Sequence, residues 1–391
     1  MTSSGQRSVR RSVAVAGVLG VAALSLAACG SSSAKTTGSG GSSATSTGAS
    51  GFGADVAAAK KAIDPFTGHP SAFPVTTALP KTLPPGTKMV YLQCGAPTCA
   101  LVGDVLGTAV KAVGGTFTAI NAGSTAASSQ QAASSAAAMK PDVVLVVGIQ
   151  PSFFGDRLKQ LQAGGAQVVS YAVSLPDPQK YGITYNYIGI DPLQRAGQLL
   201  ADWVVAHQGA KADVVFYGAP EVTQTPVMEA AFKQQLAAMC SSCAVRFVSV
   251  PITTAGTTAP RTIANDLQAH PSTNIAVAGE AELTNGLPAA LQSAGIKVTT
   301  LMYNPLPEQL SDIKSGALTA GLAVDLPTQI WTGVDAAARL VLGSKPTAAE
   351  DEGFGPFQFL TQNDITFDPQ HGWTGYPDFA QRFAKLWDPN A

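Results

Sequence analysis

Charge is sparse in this chain. Only 13% of its 391 residues are Asp, Glu, Lys or Arg, and the formal net charge is −1. No run of lysines or arginines occurs, so the electrostatic footprint of a nucleic-acid binder is missing and no such partner is expected. Histidine is scarce too. His69, His207, His270 and His371 stand far apart with no ligand spacing, and no metal or cofactor is expected from them. There is no Gly-x-Ser-x-Gly elbow. A Ser-x-x-Lys match, Ser311 to Lys314, falls on an amphipathic stretch without companion motifs. The chain is therefore not expected to be an enzyme, with an extracytoplasmic hydrolase as the weaker alternative. Past the first 28 residues, no segment is long and apolar enough to cross a bilayer.

The amino end is built differently from the rest. Arg7, Arg10 and Arg11 precede any acid, and Ser12 to Ala28 is apolar or small throughout. That is the plan of a secretory signal, too short and too poor in bulky residues for a membrane span. Arg10-Arg11 hints at twin-arginine export, though its flanks fit poorly. Leu26-Ala27-Ala28-Cys29 resembles the bacterial lipobox, which implies cleavage before Cys29 and acylation of its thiol. An ordinary signal with an incidental cysteine is the alternative. From Cys29 to about Gly53 the residues are nearly all Ser, Thr, Gly and Ala. Such a segment buries too little apolar area to offset its ordering entropy. As a flexible coil it reaches roughly 25–30 Å. The expectation is a lipoprotein: a leash holding a soluble body at the outer face of the cell membrane. Without the signal, 363 residues remain with a formal charge near −4, enough for two domains of ordinary size.

The other four cysteines fall as local pairs, Cys94/Cys99 and Cys240/Cys243. Outside the cytoplasm they read as disulfides. A four-thiolate zinc site competes with that reading, as does a redox role for Cys-Ser-Ser-Cys, although that motif sits at the wrong end of its helix.

Residues 54–86 are Pro-rich and read as irregular. From Lys88 apolar runs alternate with helical spacings. "KMVYLQ", "TFTAIN", "PDVVLVVG" and "AQVVSYAV" read as strands separated by helices. After "SLPDPQKYGITYN" the alternation resumes: "YIGI", a helix with Asp191 as N-cap and Pro192 at N1, "DVVFYG", "AVRFVSV", "NIAVAG", "KVTTLMY" and "LTAGLAV". Continuous apolar strands such as Val143–Val147 suit a sheet covered on both faces. The alternation predicts an α/β protein of two open parallel sheets built from right-handed βαβ units. Ligands of such sheets bind outside the carboxyl ends of the strands, here in a cleft between the two units.

The order and spacing of about ten elements, from Lys88 to Gly343, resembles the type I periplasmic binding proteins of the ribose and galactose group. "PDVVLVVG…PSFFGDRLKQLQAGGAQVVSYAV", "YIGIDPLQRAGQLLADWV", "VAGEAELTNGLPAALQSAGIKV" and "IKSGALTAGLAVDLPTQIWTGVDAAARLVLG" carry the likeness. "KMVYLQCGAPTCALVGD" and the tail from Asp364 resemble an actinobacterial lipoprotein branch of sugar-transport proteins. The resemblance implies two Rossmann-like lobes joined by a three-crossing hinge near Tyr185, Tyr303 and Val324. Residues 1–28 would be the signal and 29–86 a linker. Residues 87–186 with 325–350 would form the N-terminal lobe, and 187–324 with 351–391 the C-terminal lobe and tail. It further implies a monomeric receptor that captures a solute by hinge closure and delivers it to the permease and ATPase of an ABC importer. A receptor feeding a sensor kinase is the alternative.

The resemblance also marks a cleft, and the sequence departs from the sugar-gripping pattern there. Ala172-Val173 replaces Asp-Arg, next to Tyr171. Met228, near Pro226, occupies the region of a helical Arg. Glu280-Ala281 stands for Asn-Asp, Asn304 for Asp, and Asp325 for Gln. Losing two arginines deletes bidentate donors. Glu280, Asp325 and Glu282 then lack a matched cation, so either the ligand donates hydrogen bonds or carries positive charge, or these groups face water. The expected lining is Gln93, Ala96, Pro97, Gln150, Tyr171, Val173, Thr223, Gln224, Met228, Glu280, Tyr303, Asn304 and Asp325. The Cys94–Cys99 loop would stiffen one cleft edge, and Cys240–Cys243 would serve stability.

Overall fold

The computed structural model of the chain describes residues 54–95, 97–171, 177–351 and 356–388. Cys29, Ala96 and Val173 lie outside the described residues. The first lobe is a five-stranded sheet of β1 (Lys88–Cys94), β2 (Thr116–Gly123), β3 (Val143–Val147), β4 (Gln167–Tyr171) and β5 (Tyr185–Tyr187), all parallel, in the order β2-β1-β3-β4-β5. β3 and β4 are buried almost end to end, as their apolar composition requires of strands covered on both faces.

α1 (Val56–Ile63) precedes this sheet. α2 (Pro97–Ala112), α3 (Ala126–Ala138) and α4 (Arg157–Ala163) connect its strands. α3 opens on a capping box in which Thr125 and Ser128 satisfy each other's backbone N–H. The segment between β3 and β4 is not one continuous helix. A 3-10 turn over Pro151–Phe154 ends at Gly155, whose φ of +54° stops the helix before α4 resumes.

The second lobe holds six strands, β6 (Asp213–Gly218), β7 (Ala244–Ser249), β8 (Ile275–Ala278), β9 (Thr299–Tyr303), β10 (Ala320–Val324) and β11 (Phe357–Thr361). Their order is β11-β10-β9-β8-β6-β7, parallel except for β10 with β11. Its helices are α5 (Ile190–Gln208), α6 (Thr225–Met239), α7 (Ala259–Ala269), α8 (Leu287–Ala294) and α9 (Pro307–Ser315). Gly189, not Asp191, stands at the N-cap of α5, and Asp191 sits in the first turn, where its charge suits the helix dipole. α10 (Leu326–Val341) returns to the first lobe against α2 and β4. α11 (Ala348–Asp351) and α12 (Phe379–Trp387) follow.

Three of these placements correct the sequence reading. β9 and β10 are parallel neighbours in one sheet, so the chain does not cross between lobes at Tyr303. It crosses after β5, after β10, and between α11 and β11. Residues 54–86 are not simply a linker. α1 packs on α5, and Ala59, Ile63, Val75, Leu79 and Leu83 are buried in the main core. The tail is divided: β11 extends the second sheet, whereas α12 lies on α10, with Trp387 stacked 5.1 Å from Trp331. Neither the antiparallel edge strand nor the tail helix announces itself in the sequence, because each depends on a distant partner for its burial.

Two disulfides are present, Cys94–Cys99 and Cys240–Cys243, with Cα–Cα distances of 5.6 and 5.4 Å. That pairing removes the thiolates a zinc site would need. Among the described residues no helix is long and apolar enough to cross a membrane, and no group of three metal-ligating side chains converges.

Candidate functional site

The carboxyl ends of both sheets converge on one cavity of about 430 Å³. β1 delivers Cys94, β3 Val147 and β4 Tyr171 from the first lobe. The segments after β6, β8, β9 and β10 deliver residues from the second. This is the place where parallel sheets bind ligands, because successive strand ends splay there and expose backbone and loop side chains.

Glu280 dominates the polar wall. It leaves the end of β8 and is only 6% exposed. Gln224 Nε2 donates to both its carboxylate oxygens, at 3.0 and 2.9 Å, and Thr225 Oγ1 donates to Oε1 at 2.8 Å. Burial pushes its pKa up to about 7, against the pull of those donors, and Glu282 and Glu221 add repulsion. Across the cleft, Thr98 Oγ1 donates to Glu282 Oε1 and so joins the two lobes. Thr98 sits inside the loop closed by Cys94–Cys99, and both cysteines line the cavity.

The remaining wall is largely apolar. Tyr171 packs edge-on against Tyr187 at 5.5 Å and is held from behind by α10. A Cβ on Gly333 would fall 2.3 Å from the Tyr171 hydroxyl oxygen, so only glycine lets the helix approach this ring. Two wall residues adopt left-handed backbone, Asn304 at φ +55° and Ile188 at φ +61°. Asn tolerates this well. A β-branched residue does not, and such strain costs of order 1–3 kcal/mol. Ile188 lies where the chain first crosses between lobes.

Residues 95–345 match the sequence profile described as a periplasmic binding protein domain. The chain belongs to that family. Its members are extracytoplasmic solute receptors and not enzymes. Solved structures agree on the fold. A solute-binding protein of an ABC transporter from Agrobacterium vitis, with bound allitol, is 19% identical. The TM-score is 0.61 over 72% of this chain and 98% of that one. A counterpart from Actinobacillus succinogenes 130z with bound D-allose is 16% identical, with a TM-score of 0.62 over 72% and 98%. A carbohydrate transporter protein from Acidothermus cellulolyticus 11B, in complex with myo-inositol, is 15% identical, with a TM-score of 0.61 over 78% and 100%. At these identities the likeness establishes the fold alone. No curated protein sequence matches the chain.

In this periplasmic binding protein the cavity gathers Gln150, Tyr171, Thr223, Gln224, Glu280, Tyr303 and Asn304 from the expected lining. Three expected residues are elsewhere. Met228 is fully buried between α6 and α5, its carbonyl oxygen 2.3 Å from where a Gly197 Cβ would lie. Gln93 turns its amide toward Gly103 of α2. Asp325 is fully buried as the N-cap of α10. It accepts from Thr328 N and Oγ1 at 3.0 and 2.8 Å, from Thr374 Oγ1 at 3.1 Å and from Gly375 N at 2.9 Å. With its acceptors filled, it is a structural cap. Pro97 opens α2.

Thr98, Phe153, Glu221 and Gln329 line the cavity and were missed. Gln329 lies one helical turn beyond Asp325, the position where the family resemblance registers a glutamine. Glu221 follows the end of β6, and the strand-end rule alone could have nominated it.

Proposed function

We propose that this binding protein captures a small solute of sugar or polyol size and delivers it to the permease and ATPase of an ABC importer. It acts as a monomer held at the outer membrane face by an acylated Cys29. The observation that carries the reading is the inter-lobe cavity of about 430 Å³ at the strand carboxyl ends. That volume lies in the range of small-molecule sites, and its walls come from lobes that a hinge can part and close. Allitol, D-allose and myo-inositol in the related structures support a solute of that size.

The test is a thermal-shift screen of the whole chain carrying Cys29→Ser, against hexoses, pentoses, polyols and their amino derivatives. A ligand at about a hundred times its dissociation constant adds roughly 2.7 kcal/mol and raises the melting temperature clearly. No shift with any compound, and no solute found by native mass spectrometry, sinks the reading. The anchor is checked separately. Wild-type chain expressed in a bacterium should partition into detergent, and Cys29→Ser into water.

A further inference from the structure

The charge of the cleft is one-sided. Glu221, Glu280 and Glu282 line it, and among the described residues no Lys, Arg or His does. All three acids come from the second lobe, after β6 and β8. The facing first-lobe wall offers Val147, Ile149, Phe153 and Tyr171. Glu280 is enclosed, yet its hydrogen-bond donors, Gln224 and Thr225, are both neutral. A buried carboxylate pressed by two others and met only by amides and hydroxyls has uncompensated charge. An anion would add to the repulsion. A neutral polyol would supply hydrogen bonds but no counter-charge.

We propose that the solute carries a protonated amine, seated among Glu280, Glu282 and Glu221, with its carbon body against Phe153 and Tyr171. Tyr171 presents an aromatic surface on the facing wall, which suits an alkylammonium and its adjoining carbons. This rests on the reading of the cleft as the solute site and narrows the class of solute it takes.

A pH dependence follows. The charged groups acting on Glu280 are Glu282 and Glu221, both acidic, and they join burial in raising its pKa to about 7. Tyr303, also facing it, is buried and held neutral. Below pH 7 Glu280 is mostly protonated and offers a cation less. An arriving ammonium favours the ionised form, so capture releases a proton and affinity rises as pH climbs through 7.

The experiment is isothermal titration of the whole chain with matched pairs: sorbitol and 1-amino-1-deoxysorbitol, scyllo-inositol and scyllo-inosamine, D-glucose and D-glucosamine. In at least one pair the amine should bind tenfold or more tightly than its hydroxyl twin at pH 7.5. Its affinity, read with 1-amino-1-deoxysorbitol, should rise from pH 6 to pH 8. Glu280→Gln and Glu282→Gln should each reduce the preference at least tenfold. Hydroxyl twins that bind as tightly as the amines overturn this inference and leave the sugar-sized receptor standing. Failure of every compound overturns both. The wild-type comparison needs no variant, so a misfolded substitution does not spoil the test.

Discussion

Glu280 ties the cleft to the stability of the empty protein. Its pKa of about 7 in the folded chain lies above the ordinary carboxylate value of 4.5. A group raised in this way stabilises the fold fully below its unfolded pKa and loses that contribution as pH rises through the folded value. The window is therefore about pH 4.5 to 7, and the loss amounts to about 3 kcal/mol. Urea denaturation of the ligand-free chain at pH 5 and pH 8 should show wild type losing more stability than Glu280→Gln by about that amount. Equal losses would mean that Glu280 is solvated. The comparison isolates this group, because Glu350, whose pKa burial and Asp335 push up to about 8, is common to both proteins. Glu350 lies 3.4 Å from Arg339 and still keeps its proton more readily than a free carboxyl. Asp335 already takes the Arg339 Nε bond at 2.7 Å, so burial outweighs the more distant attraction.

At the scale of elements, two glycines set how closely helices approach. In α5, Gly197 lets α6 come so near that a Cβ would meet Met228's carbonyl oxygen at 2.3 Å and the Ala231 Cβ at 3.0 Å. In α10, Gly333 does the same for the Tyr171 ring, with three ring and hydroxyl atoms within 2.4 Å of where a Cβ would stand. Gly333→Ala must shift either the helix or the ring, and the ring is a cleft wall. It should cost about 1–3 kcal/mol in stability and also weaken solute binding. Gly197→Ala should carry a similar stability cost with binding nearly kept, since neither Gly197 nor Met228 lines the cavity. Chemical denaturation and titration on both variants separate the two effects. Equal binding by both would show that α10 does not set the position of Tyr171.

At the scale of the molecule, residues 54–86 and the tail strap the two lobes. α1 lies on α5 of the second lobe. The chain then runs across to the first, where Arg339 of α10 donates to the carbonyl oxygens of Thr77 and Ala78. Leu79 N donates to Leu386 O at 2.8 Å, tying this strap to α12. A chain beginning at Thr87 would lose Ala59, Ile63, Val75, Leu79 and Leu83 from the core. Each buried Val, Leu or Ile contributes about 1.5–3 kcal/mol. The shortened chain should therefore melt well below one beginning at Ala54, and Trp387, next to the Leu386 that the strap holds, should become more exposed in its fluorescence. Matching melting curves would show the strap to be ornamental.

The βαβ alternation was legible because its signals are local. Val143–Val147 reads as a doubly covered strand from composition alone, and Asp213–Gly218 was bounded correctly by its own residues. The placing of the site at strand carboxyl ends followed from the sheet being parallel. Which side chains reach it did not. Asp325 and Gln329 differ by one helical turn, and only the direction of α10 decides that one caps and the other faces the cavity. Met228 is buried where α5 and α6 meet at Gly197, a contact between residues 31 apart in sequence. By itself the sequence determined the two-sheet architecture, the paired cysteines and the low overall charge. Tertiary structure alone decided that three acids share one cleft and that residues 54–86 and the tail bind the lobes together, because both depend on contacts between residues far apart along the chain.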